Sequence, residues 1–178
     1  TGWPAGPSFG NALAQNIMSG HSLTLDAEAV AILRRIGPVA VPFHDWYVYQ
    51  VMAGTGCRIC IDPEPVLGYR QHGRNCMGDR GTGNALLRRM RLLAEGTYRR
   101  WIATNCEALR LAWPMLTPEA RDTLALVDRW AHGGGLRRVT ALRQGGVARQ
   151  QAVETALLHL AAAFGKVLTL QFKNFEFV

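Results

Sequence analysis

The spacing of apolar residues changes near residue 80. Before that point apolar residues come in short runs broken by glycine and proline, and the segments 17–25, 57–62 and 66–72 have the composition or alternation that favours strands. After Gly83, leucine, methionine and aromatic residues recur at helical spacing with arginines between them. The pattern therefore predicts an α/β portion over residues 1–80, followed by an all-helical extension over residues 81–178.

Local signals predict where the helices begin and end. Asp26 is a good cap for a helix over 26–36, which Gly37 would end, and a second helix is expected from Asp45 to Ala53. The glycine- and proline-rich residues 1–11 are expected to form a loop. Further helices are expected in the extension, within 83–113, 117–132, 136–146 and 147–170. Thr117, Pro118 and Glu119 form a typical helix start.

The positive charge of the chain is concentrated in the second portion. The formal net charge is +7 over 178 residues, and residues 1–80 contain six basic and six acidic residues. All of the excess therefore lies in residues 81–178, which points to an anionic partner: a phosphate-bearing substrate, a nucleic acid or an anionic lipid surface. No apolar run reaches the ~18 residues of a membrane-spanning helix, and we expect a cytoplasmic, reducing location with free thiols.

Cysteines and a histidine have the spacing of a zinc site. Cys57 and Cys60 are followed by His72 and Cys76, which supplies four candidate ligands. However, the two cysteines lie in a predicted strand, where residues three positions apart face opposite sides. Zinc binding is therefore the less favoured interpretation.

Asp45 has two interpretations. Its type and position suit the cap of the second helix. His44 and Trp46 on either side are unusual for a plain cap, and an aspartate at a pocket mouth can also remove a proton from a hydroxyl group. Similarly, Arg70 and His72 either bind phosphate or metal, or form the polar end of a strand.

Three segments resemble the C-terminal half of family 2 glycosyltransferases, with the bacterial rhamnosyltransferase-like members as the best match. They are "QNIMSGHSLTLD", "HDW" and "IDPEPVLGYRQHGRNCMG". The order and the gaps agree with the family pattern, and the "HDW" and "YRQHG" pair is specific. The resemblance extends over residues 8–165, more loosely in the helical extension.

The resemblance implies the C-terminal part of a GT-A-type domain in an enzyme that transfers a sugar from a nucleotide donor to a saccharide acceptor, with inversion. Rhamnose is one candidate sugar, and cell-surface polysaccharide synthesis is the implied setting. Asp45 matches the catalytic base and His72 a residue that approaches the metal and diphosphate. The implied substrate-binding residues are Asn16, Gly20, His44, Trp46, Arg70 and Gln71.

The sequence departs from the family pattern in its N-terminal half and at two single positions. The N-terminal nucleotide-binding half is absent, and no D-x-D motif occurs in the chain. Pro63 and Arg74 also replace residues of the family pattern. We therefore expect a divalent cation, Mn²⁺ or Mg²⁺, only in a longer enzyme, and neither a cofactor nor activity in this chain alone.

Partners follow from the same resemblance. Lipid-linked acceptors would bring the enzyme to the inner face of an anionic membrane. The extension contains basic and apolar residues that could contact such a membrane. They are Arg137, Arg138, Arg143, Arg149, Leu157, Leu158, Leu160, Phe164, Val167 and Leu168. The alternative is that these leucines pack internally. A non-catalytic helical interaction module and a basic nucleic-acid-binding domain also stay open. Nucleic acid is the less favoured partner, because aromatic residues do not alternate with the arginines as stacking platforms would.

Overall fold

The described part of the chain is all-helical in the computed structural model, which describes residues 6–62, 64, 68, 91, 95–131 and 134–165, without the side chains of 129–131. Seven α-helices occur in these residues, and none of these residues forms a β-strand. The predicted α/β fold class, with part of a GT-A-type domain, is therefore wrong for the described residues.

The two predicted strands that can be checked are irregular segments. Residues 17–25 contain a short 3₁₀ turn, Gly20–Ser22, flanked by extended residues, and 57–62 has no regular structure. A strand forms only where a second strand satisfies its backbone hydrogen bonds, and neither segment has such a neighbour among the described residues. The third predicted strand, 66–72, lies outside the described residues except for Gly68.

The helices occupy most of the remaining chain. A short 3₁₀ helix, Trp113–Met115, precedes α5. In chain order the α-helices are α1 Phe9–Ala14, α2 Ala27–Ile36, α3 His44–Gly54, α4 Thr97–Leu109, α5 Pro118–Ala131, α6 Gly135–Gln144 and α7 Ala152–Ala163.

Local capping explains three helix ends that the sequence predicted. Asp26 accepts a hydrogen bond from the Ala29 amide (2.8 Å), and Gly37 ends α2 with φ +81°. Thr117 accepts from the Ala120 amide (3.2 Å) at the start of α5. By contrast, α1 lies partly in the predicted loop, where Ser8 caps it by accepting from the Asn11 amide (3.1 Å).

Helix α3 lies at the centre of the core. It packs against α1, α2 and α4, while α5, α6 and α7 pack in sequence beside them. Residues of α3 are buried on several faces, including Trp46, Tyr49 and Val51. Trp46 and Val51 share one hydrophobic cluster with Leu109 of α4 and with residues of α5, α6 and α7. The proposed division at residue 80 lies in undescribed chain, and the helices on both sides of it share this core.

Candidate functional site

The Gly20 turn and the start of α3 meet at the surface. The Gly20 amide donates a hydrogen bond to Asp45 Oδ2 over 3.2 Å. A Cβ atom placed on Gly20 would lie 2.6 Å from His44 Nε2, which shows how closely the two segments pack. The structure thus brings together three of the residues selected from the sequence, Gly20, His44 and Asp45.

Backbone amides orient the carboxylate of Asp45. Helix α3 begins at His44 with Phe43 as its N-cap, so Asp45 lies in the first turn and is not the cap. Its Oδ1 atom accepts from the Trp46 amide (2.8 Å), while Oδ2 accepts from Gly20. The side chain is half-buried, and each carboxylate oxygen can accept a further hydrogen bond. The Asp45 carboxylate is therefore held in one orientation, and its oxygens can still accept a hydrogen bond from a hydroxyl group of a bound molecule.

Aromatic side chains pack against the start of α3 on its core side. Trp46 is 3% exposed, its Nε1 donates to the Ala12 carbonyl (2.7 Å), and its ring lies 5.9 Å from that of Tyr98. Phe43 packs edge-on against Trp101 of α4, with ring centroids 4.9 Å apart. Trp46 thus supports the site from the core and has no surface contact to offer a substrate in this structure.

The turn before the site contains Ser19, His21 and Ser22, polar residues that sequence reasoning missed, and it follows Asn16, which was predicted to bind substrate. Asn16 Oδ1 accepts from the Met18 amide (2.9 Å) and so shapes the chain leading into the turn. Ser19 Oγ lies 3.0 Å from His21 Nδ1, and both His21 and Ser22 are exposed. The polar run "SGHS" was the available signal, but interpreting 17–25 as a strand concealed it.

An apolar cavity of about 230 Å³ opens beside His44. It lies between the end of α2, the following loop and one face of α3, with walls that include Leu33, Ile36, Val39, Val41 and Val48. Tyr47 also lines it, and its hydroxyl group donates to the Ala108 carbonyl (3.0 Å). Burial raises the pKa of Tyr47 to about 12, so this hydroxyl group stays protonated and structural at neutral pH.

The other predicted site residues cannot be placed. Arg70, Gln71 and His72 lie outside the described residues, as does Cys76. Within the described chain, no three His, Cys, Asp or Glu side chains are close enough to hold a metal ion. The described residues therefore give no support to a zinc site or to a cation site.

Two broader findings bear on identity. Among the described residues, no helix is both long and apolar enough to cross a membrane. Comparisons with protein-family models, with curated proteins and with solved structures find no match to this chain.

Proposed function

We propose that this chain provides the acceptor side of an inverting glycosyltransferase, with Asp45 as the catalytic base. The hydrogen bond between the Gly20 amide and Asp45 carries the proposal. It joins two segments, "NIMSG" and "HDW", that are separated in the sequence and that both contribute to the resemblance to family 2 glycosyltransferases. Around it lie a half-buried carboxylate, an exposed imidazole and an apolar cavity.

The chemistry requires a base at such a position. A sugar hydroxyl group is a poor nucleophile until a neighbouring group takes its proton. In the proposed reaction the acceptor oxygen bonds to the anomeric carbon while the bond from that carbon to the diphosphate oxygen breaks. The electrons of the broken bond leave with the diphosphate, the hydroxyl proton passes to Asp45, and the anomeric centre inverts.

The described residues are better suited to binding the acceptor sugar than the nucleotide-sugar donor. His44 can hydrogen-bond a sugar hydroxyl group at the mouth of the cavity, and the cavity suits an apolar face of the acceptor. Donor and cation binding would require residues outside the described chain, because no metal-ligand cluster is found within it. In this proposal the enzyme works at the cytoplasmic face of a bacterial membrane on a saccharide or lipid-linked acceptor.

Asp45→Asn tests the proposal in the enzyme that carries these residues together with its donor-binding portion. Transfer should fall by about 10²–10⁴-fold because asparagine cannot accept the proton. Stability should fall by only about 1 kcal/mol, since one of the two amide hydrogen bonds is retained. Turnover within about threefold of wild type, with a normal melting curve, would leave Asp45 without a chemical role and favour the interaction-module alternative.

Gly20→Ala provides an independent arm of the same test. The added methyl group would meet the end of the His44 ring at 2.6 Å, so the ring must turn away while the core stays intact. Transfer should fall about tenfold to a hundredfold through misplacement of the site. Gly134→Ala is the matched control, because a Cβ there meets no atom within 4 Å.

A further inference from the structure

Helix α7 exposes an apolar stripe to solvent. Val153 is 71% exposed, Leu160 56% and Phe164 75%, and half-buried Leu157 lies between them. Their spacing of three and four residues places all four on one face. The opposite face, with Leu158 and Ala162, is buried in the core. The helix thus presents apolar side chains both to the protein interior and to the surroundings.

Helix α6 extends this apolar surface at one end. A Cβ atom on Gly135 would lie 2.2 Å from the Ala163 carbonyl oxygen, so the start of α6 lies directly against the end of α7. Leu136 follows Gly135 and is 82% exposed. Leu136 and Phe164 therefore lie at the same end of the helix pair, and with Val153, Leu157 and Leu160 they form what we call the α6–α7 surface.

The charge of this region is positive. Residues 134–165 contain four arginines and one glutamate. That glutamate, Glu154, pairs with Arg149 (3.1 Å). Arg149 faces inward, with Nη1 donating to the Ala14 carbonyl and the Tyr98 hydroxyl group, so it does not join the surface charge expected from the sequence. With Arg149 set against Glu154, the formal excess of 4 − 1 = +3 comes from Arg137, Arg138 and Arg143, of which Arg137 and Arg143 are exposed.

We propose that the α6–α7 surface docks onto an anionic lipid interface, where the apolar side chains enter the acyl boundary and the arginines meet the headgroups. Moving leucine, valine and phenylalanine side chains out of water lowers the free energy. Anionic headgroups attract the neighbouring positive charge. A second copy fits less well, because stacking this surface on itself would bring like charges together. This inference stands independently of the glycosyltransferase proposal.

Vesicle flotation of the full chain tests the surface, with phosphatidylserine-containing and pure phosphatidylcholine vesicles as probes. The chain should float with the anionic vesicles at low salt, and high salt should release it. Leu160→Ser with Phe164→Ser should weaken binding at least about tenfold. Each of Arg137→Gln and Arg143→Gln should weaken it about fivefold. Leu111→Ser is the matched control, because Leu111 is 59% exposed but lies outside this surface.

Several results would overturn the proposal. One is a failure to float with anionic vesicles while the melting curve is normal, and another is equal loss of binding in Leu111→Ser. If the chain does not bind vesicles but self-associates, and the Leu160→Ser and Phe164→Ser pair abolishes that self-association, the surface is instead an interface between copies of the chain. Transfer activity is not the readout, so a failed flotation leaves the Asp45 proposal intact and a failed Asp45 test leaves this one intact.

Discussion

Two buried side chains make the fold sensitive to alkaline pH at the residue scale. Burial raises the pKa of Tyr47 from 10.0 to about 12. It also raises the pKa of the Cys106 thiol from 9.0 to about 12, with a smaller contribution from the nearby Asp128 charge. Both groups bind their protons more tightly in the folded state than in the unfolded chain. Their contribution to stability is therefore complete below about pH 9 and is lost as the pH rises towards 12.

Denaturant unfolding as a function of pH measures this effect. The free energy of unfolding should decline from about pH 9 upwards, and the decline should be shallower in Cys106→Ala and in Tyr47→Phe. At neutral pH, Tyr47→Phe should cost about 1 kcal/mol, because the hydrogen bond to the Ala108 carbonyl is lost. Cys60→Ala, at an exposed thiol, is the control and should keep the wild-type slope. Unchanged slopes in both core variants would contradict this account.

Arg149 connects elements that are distant in the sequence. Its guanidinium group donates to the Ala14 carbonyl at the end of α1 (3.1 Å), to the Tyr98 hydroxyl group on α4 (2.7 Å) and to Glu154 on α7 (3.1 Å). Tyr98 also donates to the Ala14 carbonyl. Burial lowers the pKa of Arg149, but Tyr98 and Glu154 together outweigh it and raise the pKa above its usual value, so the group stays charged.

Arg149→Met should therefore weaken the packing of three helices together. Methionine retains the apolar stem, but it removes the guanidinium hydrogen bonds to Glu154, to the Tyr98 hydroxyl group and to the Ala14 carbonyl. We expect a loss of about 2–3 kcal/mol in the free energy of unfolding, measured with urea. Arg143→Met, at an exposed position of α6, is the matched control and should change it by less than about 0.5 kcal/mol. Equal effects of the two variants would contradict the structural role.

The whole molecule depends on contacts between its two portions. Tyr47 is hydrogen-bonded to Ala108, Trp46 packs against Tyr98, and the Thr117 amide donates to the Gly54 carbonyl (2.8 Å). Removing α4 and the later helices would expose the apolar faces of α1 and α3. We therefore expect a chain of residues 1–80 to lack a cooperative thermal transition by circular dichroism, although the full chain has one. A sharp transition in residues 1–80 would show that this portion folds alone.

Features that depend only on neighbouring residues could be predicted from the amino-acid sequence. Asp26, Gly37 and Thr117 fix helix ends through hydrogen bonds or backbone angles within a few positions. The described part of the extension is helical as predicted, but the helix expected within 83–113 is interrupted by a turn at Glu95 and Gly96 and ends at Leu109. The "HDW" segment was also identified as the start of a helix, with an error of one residue at its N-terminus.

Features that depend on partners distant in the sequence could not be predicted without the three-dimensional fold. Residues 17–25 and 57–62 have strand-like composition, but a strand needs a neighbouring strand and none is present among the described residues. The contact of Gly20 with Asp45 spans 25 positions, and Arg149 turned inward because Tyr98 and Ala14 lie beside it. From residue type alone, an arginine is expected at the surface and a leucine in the core. Which way each side chain faces depends on packing between helices, as inward-facing Arg149 and exposed Leu160 show.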